Sequence, residues 1–470
     1  MATEETLRES TSVTRRRFLS TTAGAVVGGT AALALVGPAA NAGTGRRERP
    51  EDFDAGVATA WFDLSRTLAR TTPGFTPPVA SRAFAYAGVA LYEALAPGSR
   101  QYRSLERELP GLRLPDRTDR GLHWPTVANS TLAAVMRLLF PTTSDANRAA
   151  IDDLEALFAD RSRRRTMQSA FTRSDAHGRS VARSVFGWSR RDGGHEAYLR
   201  NFPTDYVPPV GPGLWAPTPP SFQSALQPSW GGNRCFAIAS GSACPPGPPT
   251  AFSEDSSSAF FAEAVEVYDA VNNRTPEQEA IAQFWSDDPG VTSTPPGHSI
   301  SIATQVIRLE RASLMVAAET YAKVGMAVAD AFISCWDAKY RFNLLRPVTY
   351  VRARFDPDWI PLLNTPPFPE HTSGHSVQSG AAFQVLADLF GDRYPFDDHT
   401  HDERGLAPRH FDSFSQSADE AALSRLYGGI HFRPAIERGL EQGRCIGRAV
   451  SDLPFRRGHH RRRDGGSLAV

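Results

Sequence analysis

Lysine is almost missing from this chain: of 51 basic side chains only two, Lys323 and Lys339, are lysine, and the rest are arginine. In such a chain a retained lysine points to a place that needs a compact ammonium rather than a planar fork. Net charge is also missing, since 51 acidic side chains balance the 51 basic ones, which argues against a nucleic-acid binder held by bulk electrostatics. Cysteine is scarce, four in 470 residues, with no CxxC and no Cys/His zinc spacing. Cys235 and Cys244 flank a short Gly- and Ser-containing segment that they could staple. Cys335 and Cys445 lie in apolar helical patterns and are expected to be reduced core residues. No alternating strand pattern and no internal repeat is visible. The apolar run near the start, Ala23 to Val36, is too short to span a bilayer comfortably.

That run belongs to a different signal. Thr14 to Ser20 reads TRRRFLS, with Arg15 and Arg16 as a twin-arginine pair, and Ala40-Asn41-Ala42 fits a signal-peptidase site. The expectation is an exported protein, secreted or held at the cell envelope, with residues 1–42 removed and no membrane span in the mature chain. Export makes disulfides possible. Residues 43–200 carry apolar side chains at three- and four-residue steps, as in VASRAFAYAGVALYEALA, and read as helices. Residues 201–254 are dense in Pro and Gly and read as a long loop wrapping the surface. Helical text resumes over 255–452, including a long apolar pattern from Ile300 to Leu345 that suits two helices. Residues 453–470 read as a basic, flexible tail. The fold class expected is all-α, with two packed helical bundles forming one large unit and an anion site at the end of the C-terminal bundle.

Three segments of the last third offer anion-binding groups. In WDAKYRFNLLRP, Lys339 and Arg346 are seven residues apart, about two helical turns, which would put both on one helix face with Trp336. A Lys/Arg pair at that spacing is more often a solvated stripe, and the scarcity of lysine weighs against it here. In FPEHTSGHS an apolar stripe follows from Val377, so a helix begins near Ser373, and its hydroxyl and first free amides sit at a positive helix end. Serine is also a common helix cap, and the two roles coexist. In SRLYGGIHFRPAIERG, Gly428-Gly429 breaks the run, so that Arg425 ends one helix and His431 precedes the next, with Pro434 tolerated in its first turn.

Taken in order, K-x6-RP, P-x3-SGH and SR-x5-H resemble the signature of the superfamily that joins vanadium-dependent haloperoxidases with type 2 phosphatidic acid phosphatases. The likeness extends upstream to FWSDDPGVTSTPPGH, Phe284 to His298, and Trp336 and the W-x-x-D ending at Asp288 look more like the haloperoxidase branch. The resemblance implies that Lys339, Arg346, Ser373, Gly374 and Arg425 hold the equatorial oxygens of vanadate, or of phosphate. It implies that His431 binds the metal axially or attacks phosphorus, and that His375 is the acid-base residue. Lys339 would polarise hydrogen peroxide toward attack by halide or a small organic substrate. Asp288 resembles the carboxylate that orients Arg425, and Phe368 stands where bromoperoxidases carry an additional histidine. Three readings follow: an exported vanadate-dependent peroxidase, a soluble acid phosphatase of the same superfamily, and an oxyanion-binding protein that has lost turnover.

The sequence departs from the family pattern at two places. The Asp often found four residues after the axial histidine is Ala435 here, and Glu437 lies on the wrong face to replace it. Such a carboxylate orients the imidazole, and its loss should hurt a phosphohistidine mechanism most. The usual Tyr-Pro before SGH is His371-Thr372, with His371 either modifying His375 or facing solvent. His298 reads as a loop or capping group without a catalytic role.

Overall fold

The computed structural model describes residues 48–116 and 121–458; the twin-arginine segment lies outside them. Helices dominate because the apolar stripes noted above are long and regular. Five helices come first: α1 (Gly56–Thr71), α2 (Pro77–Leu95), α3 (Trp124–Leu139), α4 (Asp145–Arg163) and α5 (Gln168–Ser189). Eight more follow the Pro-rich loop: α6 (Ala259–Asn272), α7 (Pro276–Phe284), α8 (Thr294–Leu309), α9 (Leu314–Phe342), α10 (Pro347–Arg354), α11 (Gly374–Phe390), α12 (Phe414–Tyr427) and α13 (Arg433–Ser451). The Ile300 to Leu345 pattern is indeed two helices, α8 and α9. One element escaped the sequence reading: β1 (Phe396–Asp398) pairs antiparallel with β2 (Arg409–Phe411) in a short hairpin. With three residues a strand, it is too short to show alternation.

The two halves share one continuous apolar core, with α9 at its centre packing on α2 from the first half and on α11 from the second. The α2–α9 crossing is close because Gly88 meets the Tyr321 carbonyl and Gly325 meets the Phe84 carbonyl, where any side chain would collide with backbone. Gly443 does the same for α13 against α11 at Val377. These approaches bring the start of α11 beside the start of α13, and Ser373 N–H donates to the Ala435 carbonyl at 3.0 Å.

The Pro-rich loop is pinned rather than loose. Buried Asp330 of α9 accepts from the Phe236, Ala237 and Ile238 amides at 2.7, 2.8 and 3.2 Å, and burial raises its carboxyl to about 6. Trp336 Nε1 and Tyr340 OH both donate to the Leu226 carbonyl, at 3.1 and 2.7 Å. The cysteine pairing corrects the expectation. Cys244 bonds to Cys445 of α13, while Cys235 and Cys335 are free and buried. The loop folds across to α13 instead of closing on itself, a contact between residues 201 apart that local spacing cannot reveal. The start of the tail is also held: Arg457 N–H donates to the Gln101 carbonyl, and Arg456 pairs with Glu319. No helix of the described residues is long and apolar enough to cross a membrane.

Candidate active site

Lys339 lies in the last turn of α9, and Arg346 does not share its helix. The helix stops at Phe342, Asn343 takes a left-handed φ of 47°, and Arg346 becomes the residue before α10. The expected helical face is therefore replaced by a turn, since Pro347 can begin a helix but not continue one. The two cations converge all the same. The Lys339 ammonium and the Arg346 guanidinium lie 4.9 and 4.8 Å from the centroid of the Phe368 ring, whose other neighbour is Trp336. Both cations are held by carbonyls of the Phe368–Glu370 strap. Lys339 Nζ donates to Pro369 and Glu370 at 2.9 Å each, and Arg346 Nε donates to Phe368 at 2.8 Å.

Arg346 Nη1 donates to the Ile430 carbonyl at 2.7 Å and lies 3.2 Å from His431 Nε2. The other nitrogen of that ring, Nδ1, lies 2.8 Å from Glu370 Oε1, which also accepts the Phe432 amide at 2.9 Å. Glu370 is fully buried. It supplies from a different element the carboxylate that Ala435 lacks: a carboxylate on Nδ1 fixes the tautomer and makes Nε2 the acceptor, which faces Arg346 Nη1. The sequence reading missed it because Glu370 sits among the variable positions of P-x3-SGH, 61 residues from its partner.

Ser373 caps α11 with its Oγ accepting from Ser376 N–H. Gly374 begins the helix, and a Cβ there would meet only ring carbons of Trp336 and Phe332, at 3.9 and 4.0 Å; the glycine leaves the space in front of the first amides open. The Trp285 carbonyl links the remaining two groups: it accepts from Arg425 Nη2 at 2.9 Å and bonds the His375 ring. Arg425 also donates to Ser424 Oγ and the Ala282 carbonyl. Asp288 is not among its partners. Asp288 is exposed, and the buried carboxylate is its neighbour Asp287, whose charge acts more strongly on Arg425. Adjacent aspartates on a loop point to opposite sides, and the sequence does not say which points inward.

Two other histidines depart from expectation. His371 neither bonds to His375 nor faces solvent; it is buried, with Nε2 3.1 Å from the Gly247 carbonyl, and burial lowers it to about 4. His298 is no loop group. It lies in the first turns of α8, buried between Asp287 and Asp398. Burial opposes its charge, but the two carboxylates prevail and raise it to about 9.

Burial dominates the electrostatics of the cup. It lowers Lys339 to about 7 and Arg346 and Arg425 to about 10, and it raises Glu370 to about 7. His431 is held well below its ordinary value by burial and then by Arg346, Lys339, Arg425 and His375, so these groups share one electrostatic neighbourhood. His375 is lowered likewise, by burial and then Arg425. Several buried polar atoms have no partner in the protein: Arg346 Nη2, His375 Nε2 and Glu370 Oε2. The uncompensated Arg346 Nη2 donor, with the Lys339 and Arg425 cations and an open helix end, suits a tetrahedral oxyanion, which such an arrangement neutralises by charge-assisted hydrogen bonds. The residues present fit vanadate or phosphate.

Fold and site thus define a helical-bundle protein with a buried, cation-lined oxyanion cup. The model of the VCPO second helical-bundle domain matches residues 319–358 and 354–457. The crystal structure of a bacterial vanadium-dependent iodoperoxidase is similar at 38% identity and a TM-score of 0.77, covering 87% of this chain and 98% of that one. The chain belongs to the vanadium-dependent haloperoxidase family. A bacterial vanadium-dependent chloroperoxidase in its holo form shares the fold at 18% identity, with a TM-score of 0.65 over 82% of this chain and 93% of that one. The vanadium chloroperoxidase of Curvularia inaequalis is 26% identical over 221 residues, 34% of this chain; the match spans 36% of that protein's length.

Proposed function

We propose that the protein is an exported, vanadate-dependent peroxidase that oxidises halide, or a small organic substrate, with hydrogen peroxide. The observation that carries this reading is the imidazole of His431, with Nδ1 tied to Glu370 and Nε2 beside Arg346, in one buried neighbourhood with the Lys339, Arg346 and Arg425 cations. Lys339, Arg346, Arg425, Ser373 Oγ and the Gly374 amide would hold the oxygens of vanadate, and His431 Nε2 would be the protein's single bond to the metal. When bound, vanadate supplies a Lewis acid that activates peroxide without changing oxidation state. The protein's own contributions are then three. Glu370 fixes the tautomer of His431 and aims its Nε2, while burial and the neighbouring cations keep the ring neutral. Lys339, as an ammonium with two N–H groups on the Pro369 and Glu370 carbonyls, would offer its third N–H to incoming peroxide. His375, with Nε2 unpartnered, accepts or returns the proton of the attacking oxygen. Iodide is the first halide to test, because the relative at 38% identity is an iodoperoxidase. Export is supported by the twin-arginine segment and by the Cys244–Cys445 bond, which suits an oxidising compartment.

Glu370 also favours a second reading, hydrolysis of phosphoric monoesters. With a carboxylate on Nδ1, His431 is equipped to attack phosphorus while His375 protonates the leaving alcohol. The objection raised by Ala435 falls, and with it the motive for reading the protein as an inactive oxyanion binder. Purified protein is assayed for iodide, bromide and chloride oxidation with peroxide and added vanadate, and separately for p-nitrophenyl phosphate hydrolysis. Halide oxidation that depends on vanadate is expected. Hydrolysis without any vanadate-dependent oxidation would reverse the order of the two readings.

A further inference from the structure

A second buried polar cluster takes no part in the chemistry above. Asp287 lies on the loop between α7 and α8, His298 in α8, Asp398 at the end of β1 and His401 just beyond it. All four are buried, with exposures of 4, 1, 0 and 3%. His298 Nδ1 faces Asp287 Oδ2 at 2.8 Å, and its Nε2 faces Asp398 Oδ2 at 2.7 Å. Asp398 is fully engaged, since Oδ1 accepts from Thr400 N, Thr400 Oγ1 and Gln305 Nε2. Asp287 Oδ1 and His401 Nε2 are not: they stand 3.3 Å apart, and neither has an aligned hydrogen bond. Two such atoms, paired by charge but without an aligned hydrogen bond in a buried site, call for an explanation, and a missing ion is a standard one.

We propose that Asp287, His298 and His401 form a divalent-metal site, with a carboxylate oxygen, His298 Nδ1 and His401 Nε2 as ligands and Asp398 as the acceptor that orients His298. One ligand atom from each of the three residues lies within 4.8 Å of the others, close enough for a single ion to draw them together. The outer shell is already built, because the second nitrogen of a metal-bound histidine ordinarily donates to a carboxylate, as His298 Nε2 does to Asp398. Trp285 stacks on the His298 ring at 4.5 Å, and Phe284 packs edge-on against both imidazoles, giving the dry wall that supports such sites. Two imidazoles and one carboxylate suit zinc and its first-row neighbours better than magnesium or calcium. On binding, the cation takes the place of the proton between His298 Nδ1 and Asp287, and that proton leaves to solvent. The cluster borders open space: His401, with Thr292, Ser293 and Thr400, lines a cavity of about 420 Å³ between α1 and α8. The arginines at its mouth are partly offset by Asp63 and Glu403.

The site has a bearing on the cup. Asp287 is two residues from Trp285, whose carbonyl holds Arg425 and His375. A metal on Asp287 would fix that loop and hence one wall of the cup. The inference itself stands whether or not the cup takes vanadate.

The test uses the full chain, stripped with a chelator, dialysed and titrated with zinc by calorimetry and with cobalt(II) by visible absorption. One equivalent of either metal is expected, with cobalt showing ligand-field bands of a nitrogen-ligated ion. His401→Ala should weaken binding by at least about a hundredfold and Asp398→Asn by about tenfold, while circular dichroism stays unchanged. His401→Gln repeats the measurement should the alanine variant fold poorly. Absence of stoichiometric binding to the parent chain, or binding undiminished in the His401 variants, would overturn the proposal and leave His298 as a salt-bridged structural group.

Discussion

The oxyanion cup and the Asp287–His298–Asp398–His401 cluster are comparably buried, yet they are unbalanced in opposite directions. The cup gathers Lys339, Arg346 and Arg425 around one carboxylate, Glu370. The second cluster gathers two carboxylates around two imidazoles. Burial makes any unmet charge costly, so each imbalance specifies the sign of what completes it: an anion for the cup, a cation for the cluster. The orphaned atoms include Arg346 Nη2 and Glu370 Oε2 in the cup and Asp287 Oδ1 and His401 Nε2 in the cluster, so it is the balance of charged groups that separates the two sites.

The largest effect should come from His431→Ala, which removes the axial nitrogen while leaving the cations. Vanadate retained after dialysis, measured by elemental analysis, is expected to fall at least about a hundredfold; retention equal to the parent would break the assignment of the cup. Next is Glu370→Ala, expected to weaken vanadate binding by about 10- to 100-fold. Adding Ala435→Asp to that variant should recover part of the loss, because a carboxylate returns to the imidazole from the α13 side. If Glu370→Ala binds like the parent, the carboxylate does not orient His431.

Lys339→Arg should keep vanadate bound but lower peroxide turnover by about tenfold, since the broader guanidinium aims its donors differently. Unchanged turnover would remove the special role of this lysine. The smallest effect concerns pH and isolates charge from coordination. Burial brings Lys339 from 10.5 to about 7, so its ammonium is present below pH 7 and lost as pH rises through that value. Sulfate stays a dianion throughout, and its affinity measured by calorimetry should fall by roughly tenfold between pH 6 and pH 8.5. The dependence should weaken in Lys339→Met, leaving the part due to Glu370, which burial also raises to about 7; a profile as steep in Lys339→Met as in the parent would show that this ammonium does not contribute to anion binding.

The helical class and the two-bundle layout were legible because amphipathic stripes are local and repeat at the helical period. The cup's main members were legible for a different reason: three short motifs fix side-chain types at set spacings, and their order resembles one superfamily. Reasoning from spacing alone failed where a helix ended early, as between Lys339 and Arg346, and where neighbours differ in direction, as at Asp287 and Asp288. Glu370, the Trp285 carbonyl and the Cys244–Cys445 bond had no local signal at all, since each acts on a partner far away in the chain.

By itself, then, the sequence determined which segments are helical and which residues carry the positive charge and the imidazoles. Tertiary structure alone decided who faces whom: that Glu370 stands in for the carboxylate missing at Ala435, that a backbone carbonyl rather than Asp288 holds Arg425, and that His298 is buried between acids. Those choices depend on close helix crossings such as Gly88 on α9 and Gly443 on α11, which set distances between residues that no periodicity connects.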